Sequence, residues 1–303
     1  MKRLPLLGLT TLALGMVALA AETIRFEPLL GTITKYRSTT QSSAEILNSS
    51  MVTSDGQPVP KPFENILESL KSALSTTQTI DTTEKVVAVE ASGTRQLETK
   101  VVTTNAQPQI GYEILSSMTP DGLLTISSFK FDAATLAQPG FAAIGDSFAN
   151  SMRDVYALQN VNIYAKPLDV GQSLKFSSNN AEAVTSVFKA IPQAKIQVEG
   201  LQSTFDFTYL GRNSNNDHSF KIISSVSAGK FTVDLGFMNL EQIANAANSE
   251  GEALYFADGR IKSNRQTTNQ TMTQIQKITL DKQILTLTVS AKVKTVVNTE
   301  ILP

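Results

Sequence analysis

The sequence predicts a mainly β (α+β) protein: a large curved antiparallel sheet or half-barrel meander with a few packed amphipathic helices. Three observations predict it. Apolar and polar residues alternate with a period of two in segments from end to end of the chain. Turn chemistry recurs between those segments, at Ala91-Ser92-Gly93, Pro120-Asp121-Gly122, Ser227-Ala228-Gly229 and Asp258-Gly259, each supplying a residue tolerant of positive φ. Four segments break the alternation with helical spacing. Strands joined in sequence by short turns make an antiparallel meander.

The elements follow in chain order. Lys2 and Arg3, an apolar stretch over 6–19 and the small-residue pattern Ala18-Leu19-Ala20 predict a signal peptide over 1–20 that is removed before Ala21. The apolar stretch is shorter than the roughly 18 residues a membrane span needs. Residues 21–303 then form the exported antiparallel β domain, with no membrane span once the signal is cleaved. An early strand over 32–43, "TITKYRSTTQSS", has Tyr36 as its only large side chain. Residues 62–74, "PFENILESLKSAL", place Phe63, Ile66, Leu67, Leu70 and Leu74 on one helical face and begin with a Pro suited to a first turn. Further helices are predicted over 141–156, over 181–191 with Asn180 as cap and Pro192 as stop, and over 239–248 with Asn239 as cap.

Among the strands, Ser203, Phe205, Phe207 and Tyr209 alternate with Thr204, Asp206 and Thr208. His218, Phe220, Ile222 and Ser224 do so against Ser219, Lys221 and Ile223, after the loop 213–217, "NSNND". The last strand points Leu285, Leu287, Val289, Ala291 and Val293 one way and Thr286, Thr288, Ser290, Lys292 and Lys294 the other. Between them, the strand after Asp258-Gly259 carries almost nothing apolar on either face over 262–270. Such a strand either overhangs the core of a broad curved sheet and lines a partly wet cavity, or lies at a sheet edge where polar residues guard against aggregation. The halves 22–159 and 160–303 look loosely alike without a residue-level repeat, and one continuous sheet is the simpler organisation.

Composition excludes several function classes. The net charge is −1, moving to −3 once Lys2 and Arg3 leave with the signal, and no run of Lys or Arg interleaves with aromatics, so nucleic acid is excluded as a partner. The chain has 0 Cys, which removes thiolate chemistry, disulfides, Cys-ligated metals and a lipid anchor on a post-signal Cys. His218 is the single histidine. Asp217 and Ser219 beside it point to the opposite strand face, and no G-x-S-x-G segment offers a nucleophile, so His218 is read as a solvated turn-edge residue. Carboxylates are dispersed, "NSNND" lacks the acid of a calcium loop, and no phosphate-cradling Gly loop occurs. No cofactor or metal is expected, and the chain is read as a non-enzyme. With 0 Trp and 7% aromatic residues, the aromatic girdles of an outer-membrane barrel have no counterpart.

The signal, the meander, the early and mid-chain amphipathic helices and the "LYFADGRI" strand-turn-strand over 254–261 together resemble the periplasmic lipoprotein-carrier superfamily, with its open half-barrel. They are similar as well to uncharacterised exported bacterial proteins of this layout. The resemblance implies helices covering a concave sheet with acyl chains bound between, and Phe63, Ile66, Leu67 and Leu70 as the lid. A ligand-binding groove for lipid or another hydrophobic molecule would be completed by Phe205, Phe207 and Phe220. The expected location is the bacterial envelope, periplasmic or secreted. The alternative is an envelope structural or protein-interaction module that works through exposed strand edges and has a dry core.

Overall fold

A computed structural model of the chain describes residues 22–56, 75–105, 109–137, 163–179, 195–236, 238–280 and 283–303, together with Ala181 and Thr185. The strands are β1 (Glu22–Thr23), β2 (Ile33–Thr53), β3 (Thr77–Val89), β4 (Arg95–Thr103), β5 (Gly111–Met118), β6 (Leu124–Phe131), β7 (Pro167–Leu168), β8 (Ser173–Asn179), β9 (Lys195–Gly200), β10 (Gln202–Arg212), β11 (His218–Val226), β12 (Gly229–Asp234), β13 (Met238–Ala244), β14 (Ala247–Tyr255), β15 (Ile261–Leu280) and β16 (Gln283–Ile301). One turn of helix, α1 (Ala133–Leu136), follows β6, capped by Asp132, whose carboxylate accepts from the Thr135 amide.

Fourteen strands form one antiparallel sheet in the order β6-β5-β4-β3-β2-β16-β15-β14-β11-β10-β8. A lower branch leaves β15 through β13, β12 and β9. The predicted mainly antiparallel architecture is therefore present, and its spine is the long pair β15–β16 with β2 alongside. The polar strand is β15 itself. It is flanked by β16 on one side and by β14 and then β13 on the other, so it is not an edge strand.

The register fixes which residues share a face, because alternate residues of every strand point the same way. One face carries Leu285, Leu287, Val289 and Ala291 of β16, all buried, as the sequence pattern predicts. It continues through Phe207 and Tyr209 of β10 and Phe220 and Ile222 of β11. On β3–β6 it carries Val86, Leu97, Val101, Ile114, Phe129 and Phe131. This is the inner face. The opposite face presents charged rows, among them Lys221, Glu252 and Arg265 in cross-strand register, the bidentate Arg37–Asp81 pair and Lys100 between Glu98 and Glu113.

The sheet is curled towards that inner face at one end. β5 and β15 are five strand steps apart in the sheet order, a span of about 24 Å if the sheet were flat. Yet the amide of Phe26 donates to the Pro120 carbonyl in the β5–β6 turn at 3.0 Å, and the next amide, Glu27, donates to the Asp258 carbonyl in the β14–β15 turn at 2.9 Å. Consecutive amides reach acceptors no more than roughly 10 Å apart. Residues 22–31 thus form a strap across the curled end, joined by residues 163–168 through the β1–β7 pair and the bond from the Ala165 amide to the Ile24 carbonyl. Ile24, Ile163 and Leu168 of the strap pack into one core with Leu174, Phe207, Tyr209, Phe220 and Ile222 of the sheet. Phe26 packs on Val86 and Leu97, and Tyr164 belongs to both clusters.

A crease crosses the sheet where the lower branch begins. The chain passes from β9 to β10 through Leu201, from β11 to β12 through Ser227-Ala228, and from β13 to β14 through Asn245-Ala246, so three neighbouring strands break at one level. Gly200 has a φ of +72° there, and a Cβ on it would fall 2.4 Å from the Ala228 carbonyl oxygen. Only glycine supplies that backbone without a clash. Ser227-Ala228-Gly229, predicted as a hairpin turn, is therefore a corner of this crease. Its strands β11 and β12 pair with different partners, and the Ser227 amide donates across the corner to the Gln202 carbonyl at 2.8 Å.

Residues 239–248 correct the predicted helices. They form most of β13 and the start of β14. β12 and β15 offer β13 a paired edge on each side, and two ladders of hydrogen bonds outweigh a modest helical preference. The described residues hold no long packed helix. The segments predicted as helical over 62–74 and 141–156 lie outside the described residues. Of 181–191 only Ala181 and Thr185 are described, both helical.

Candidate functional site

The inner face is the candidate site, and it divides into three zones. The first is the strap-covered core of the upper sheet. Phe207 is buried and Phe220 wholly so, with ring centroids 6.3 Å apart, while Phe205 at the margin is half-buried. These three predicted groove residues thus share one inward face, and two of them fill packed interior. Phe63, Ile66, Leu67 and Leu70 lie outside the described residues.

The second zone is a polar waist that the strands β2, β16 and β15 share below the strap. Its inward residues are Ser38, Thr40 and Ser42, then Thr295, Val297 and Thr299, then Asn264, Gln266, Thr268 and Gln270, every one half-buried. Hydroxyls pair across the strands, Ser38 with Thr299 at 2.8 Å and Ser42 with Thr295 at 3.2 Å. Such pairs stabilise the ladder without needing a dry core. The polar strands exist because the waist is an inward surface that is not packed shut.

The third zone lies below the crease. Besides the buried Leu285, Leu287 and Val289, its inward surface presents Ile196, Val198, Phe231, Leu240 and Ile278, all half-buried, with Gln242, Gln274 and Gln276 set among them. Apolar and carboxamide groups alternate here within one surface.

Ionisable groups on the inner face gather at its upper rim. Glu84 stands opposite Thr34, whose hydroxyl accepts from Arg260 Nη1 at 2.8 Å, while Arg260 Nε is held by Asp258 at 2.8 Å. Burial pushes the Glu84 carboxyl up to about 7, against a smaller opposing pull from the Arg260 charge. Burial raises the phenols of Tyr36 and Tyr164 as well, and that of Tyr255 to about 12. Glu84 is half-buried by exposure, and nothing local in "TTEKV" marks it as inward-facing.

His218 is likewise not a solvated turn-edge residue. Its ring is 1% exposed, with Nδ1 3.0 Å from the Tyr209 hydroxyl and 3.5 Å from Glu22 Oε2. Burial pushes the Glu22 carboxyl up, but bonds from Arg212 and Tyr209 outweigh this and hold it below the usual carboxylate range. Asp217 is buried beside the ring, bonded by Lys262 at 2.7 Å and by Asn213. Among the described residues the imidazole is bonded to Tyr209 and faces Glu22, not a serine hydroxyl. The network latches the strap to the β10–β11 hairpin. Desolvation, followed by the Arg212 charge, lowers the His218 pKa. The folded state therefore resists a proton that the unfolded chain accepts near 6.5, and stability is expected to fall as pH drops below that value. Urea unfolding between pH 7.5 and 5 checks this, with His218→Gln expected to flatten the slope. Equal slopes in both proteins would show that His218 does not set it.

The outer face carries surface depressions, such as one of about 590 Å³ lined by Leu210, Lys221, Glu250, Glu252 and Arg265. An outward face with these charges is unlike the lipid-facing surface of a membrane barrel, where each Lys or Arg near mid-bilayer costs about 2–4 kcal/mol. Among the described residues no helix is long and apolar enough to cross a membrane, and no cluster of acidic or histidine side chains could hold a metal ion.

No family model matches the chain, and no curated protein matches it, so neither comparison supports the resemblance to lipoprotein carriers. Among solved structures, the chain is similar to Ail, the attachment invasion locus protein of Yersinia pestis, solved in complex with the heparin analogue sucrose octasulfate. The similarity covers 88% of this chain and 99% of that one at 6% identity, with a TM-score of 0.11, too low for the likeness to bear on fold or function.

Proposed function

We propose that this chain is a non-enzymatic, exported envelope protein that binds an amphipathic, lipid-like ligand on the inner face of its curled sheet. One observation carries the reading: a half-buried polar waist adjoins a half-buried apolar surface on the same face of one sheet. Hydrocarbon would lie against Phe231, Leu240 and Ile278, held by buried apolar area at about 25 cal/mol per Å². The polar end would lie against the hydroxyls and carboxamides of β2, β15 and β16. The strapped core around Phe207 and Phe220 is the rigid support, and Phe205 lies at its margin. Export rests on the leader-like sequence over 1–20.

Native mass spectrometry of the protein purified from its own envelope, followed by organic extraction, tests the reading. A stoichiometric lipid-like adduct is expected. A clean apo mass, unchanged after incubation with lipids, would overturn it in favour of a protein-interaction module. That second reading has its own observation: β6, β8 and β9 each pair on one side only among the described residues, which leaves edges suited to strand addition.

A further inference from the structure

We infer that the polar end of the ligand is an uncharged, polyhydroxylated group, which makes the ligand a glycosylated amphiphile rather than a phospholipid or a fatty acid. The inference rests on the amphipathic-ligand reading above and adds the chemistry of the headgroup.

It starts from how charge is distributed between the faces. Below the row of Tyr36, Ile301 and Lys262, the described inward side chains of β2, β16, β15, β13, β12 and β9 include no ionisable group. Every Lys, Arg, Asp and Glu in these strands below that row points outward. Lys262, at the rim, is already bonded to Asp217 at 2.7 Å. Glu84, also at the rim, faces Thr34 and lies near Arg260, which Asp258 and Thr34 hold. A phosphate or carboxylate headgroup brought to the waist would lose its hydration and find no free cation among the described inward residues to replace it.

Hydroxyls and carboxamides are the complement of a sugar. A sugar hydroxyl donates one hydrogen bond and accepts two, and Ser, Thr, Asn and Gln side chains each offer both roles. The waist has bonding capacity to spare. Each paired hydroxyl in Ser38–Thr299 and Ser42–Thr295 keeps acceptor capacity after its mutual bond. Below the waist, Gln276 Nε2 donates to the sulfur of Met238 at 3.0 Å, and a thioether is a weak acceptor that a ligand hydroxyl would readily displace. Gln276 also sits beside Leu240 and Leu287 in register, and Gln274 beside Gln242 and Val289, so the carboxamides of the lower zone adjoin its apolar surface and continue the polar surface of β15 downward.

The test uses four amphiphiles with the same twelve-carbon tail: dodecyl maltoside, dodecylphosphocholine, dodecyl phosphate and dodecanoate. Each is titrated into the exported protein below its micelle concentration, with binding read by isothermal calorimetry. The maltoside is expected to bind at least tenfold more tightly than the other three. The double variant Gln266→Leu, Thr268→Val is expected to erase that preference. Equal or tighter binding of a charged amphiphile, or an undiminished maltoside preference in a variant with unchanged urea midpoint, would overturn the inference while the amphipathic-ligand reading stands. Should the variant fail to fold, the ranking of the four by the unaltered protein decides alone. Binding of none of the four would remove the amphipathic-ligand reading and this inference with it.

Discussion

Gly259→Ala is expected to destabilise the protein by about 3–5 kcal/mol and to release the strap from the curled end of the sheet. Two effects add. Gly259 has a φ of +82°, a conformation that costs a residue with a Cβ about 1 kcal/mol. The new Cβ would also lie 2.3 Å from the Arg25 carbonyl oxygen and 3.1 Å from Phe26 Cα, so the strap must move. Displacing it uncovers Ile24 and Phe26, both now buried, and strains the bond from Glu27 to Asp258. Gly171 is the matched control: its φ is +87° with nothing within 4 Å of the added carbon, so Gly171→Ala should show the backbone cost alone. Urea midpoints give the difference, and hydrogen exchange over residues 24–31 shows where it arises. Equal losses in the two variants would mean that the strap accommodates the methyl group and is not held against the turn.

Glu84→Gln is expected to stabilise the protein by up to about 3 kcal/mol at pH 8, less in so far as the half-buried carboxyl stays solvated, and by almost nothing at pH 4. The sign follows from where the proton is held. An unfolded Glu84 ionises near 4.5, whereas the folded one retains its proton to about 7. Below 4.5 both states are protonated and folding bears no penalty. As pH rises from 4.5 to 7 the unfolded chain ionises first, so stability falls, and above 7 the loss is complete. The gap corresponds to about 3 kcal/mol, and glutamine removes it by staying neutral. Denaturation of both proteins at pH 4, 6 and 8 checks the pattern, and a pH-independent difference would show that Glu84 is solvated or paired. This trend opposes that of His218, which costs stability on the acid side.

Much of the architecture was legible from alternation alone. Leu285 to Ala291, Phe207 and Phe220 point inward as their spacing requires, and the turns at 91–93, 120–122 and 258–259 fall where glycine permits them. Residues 239–248 were misleading because Leu240, Ile243, Ala244 and Ala247 fall at helical intervals. Their strand conformation depends on β12 and β15, which local sequence does not reveal. His218 and Glu84 were illegible for a related reason. The group that closes over the histidine includes Glu22, bonded to Tyr209 across 187 positions, and Glu84 faces inward through its pairing with Thr34 of a strand 50 positions away. Polar strands signalled an unusual surface correctly, yet the choice between an edge and a wet interior needed the pairing of β15.

The crease bears on how this chain can change over evolutionary time. Three strands break at one level, while β15 and β16 run past it unbroken. A residue inserted above or below the break in one of the three would move that strand's corner out of line with the other two. It would also turn the inward residues of the shifted part outward. Length changes in this region should therefore survive only in matched sets, whereas the hairpin loop at 213–217 and the β3–β4 turn at 90–94 can vary one at a time. In related sequences, positions 200–201, 227–228 and 245–246 should behave as one inherited unit despite lying far apart along the chain.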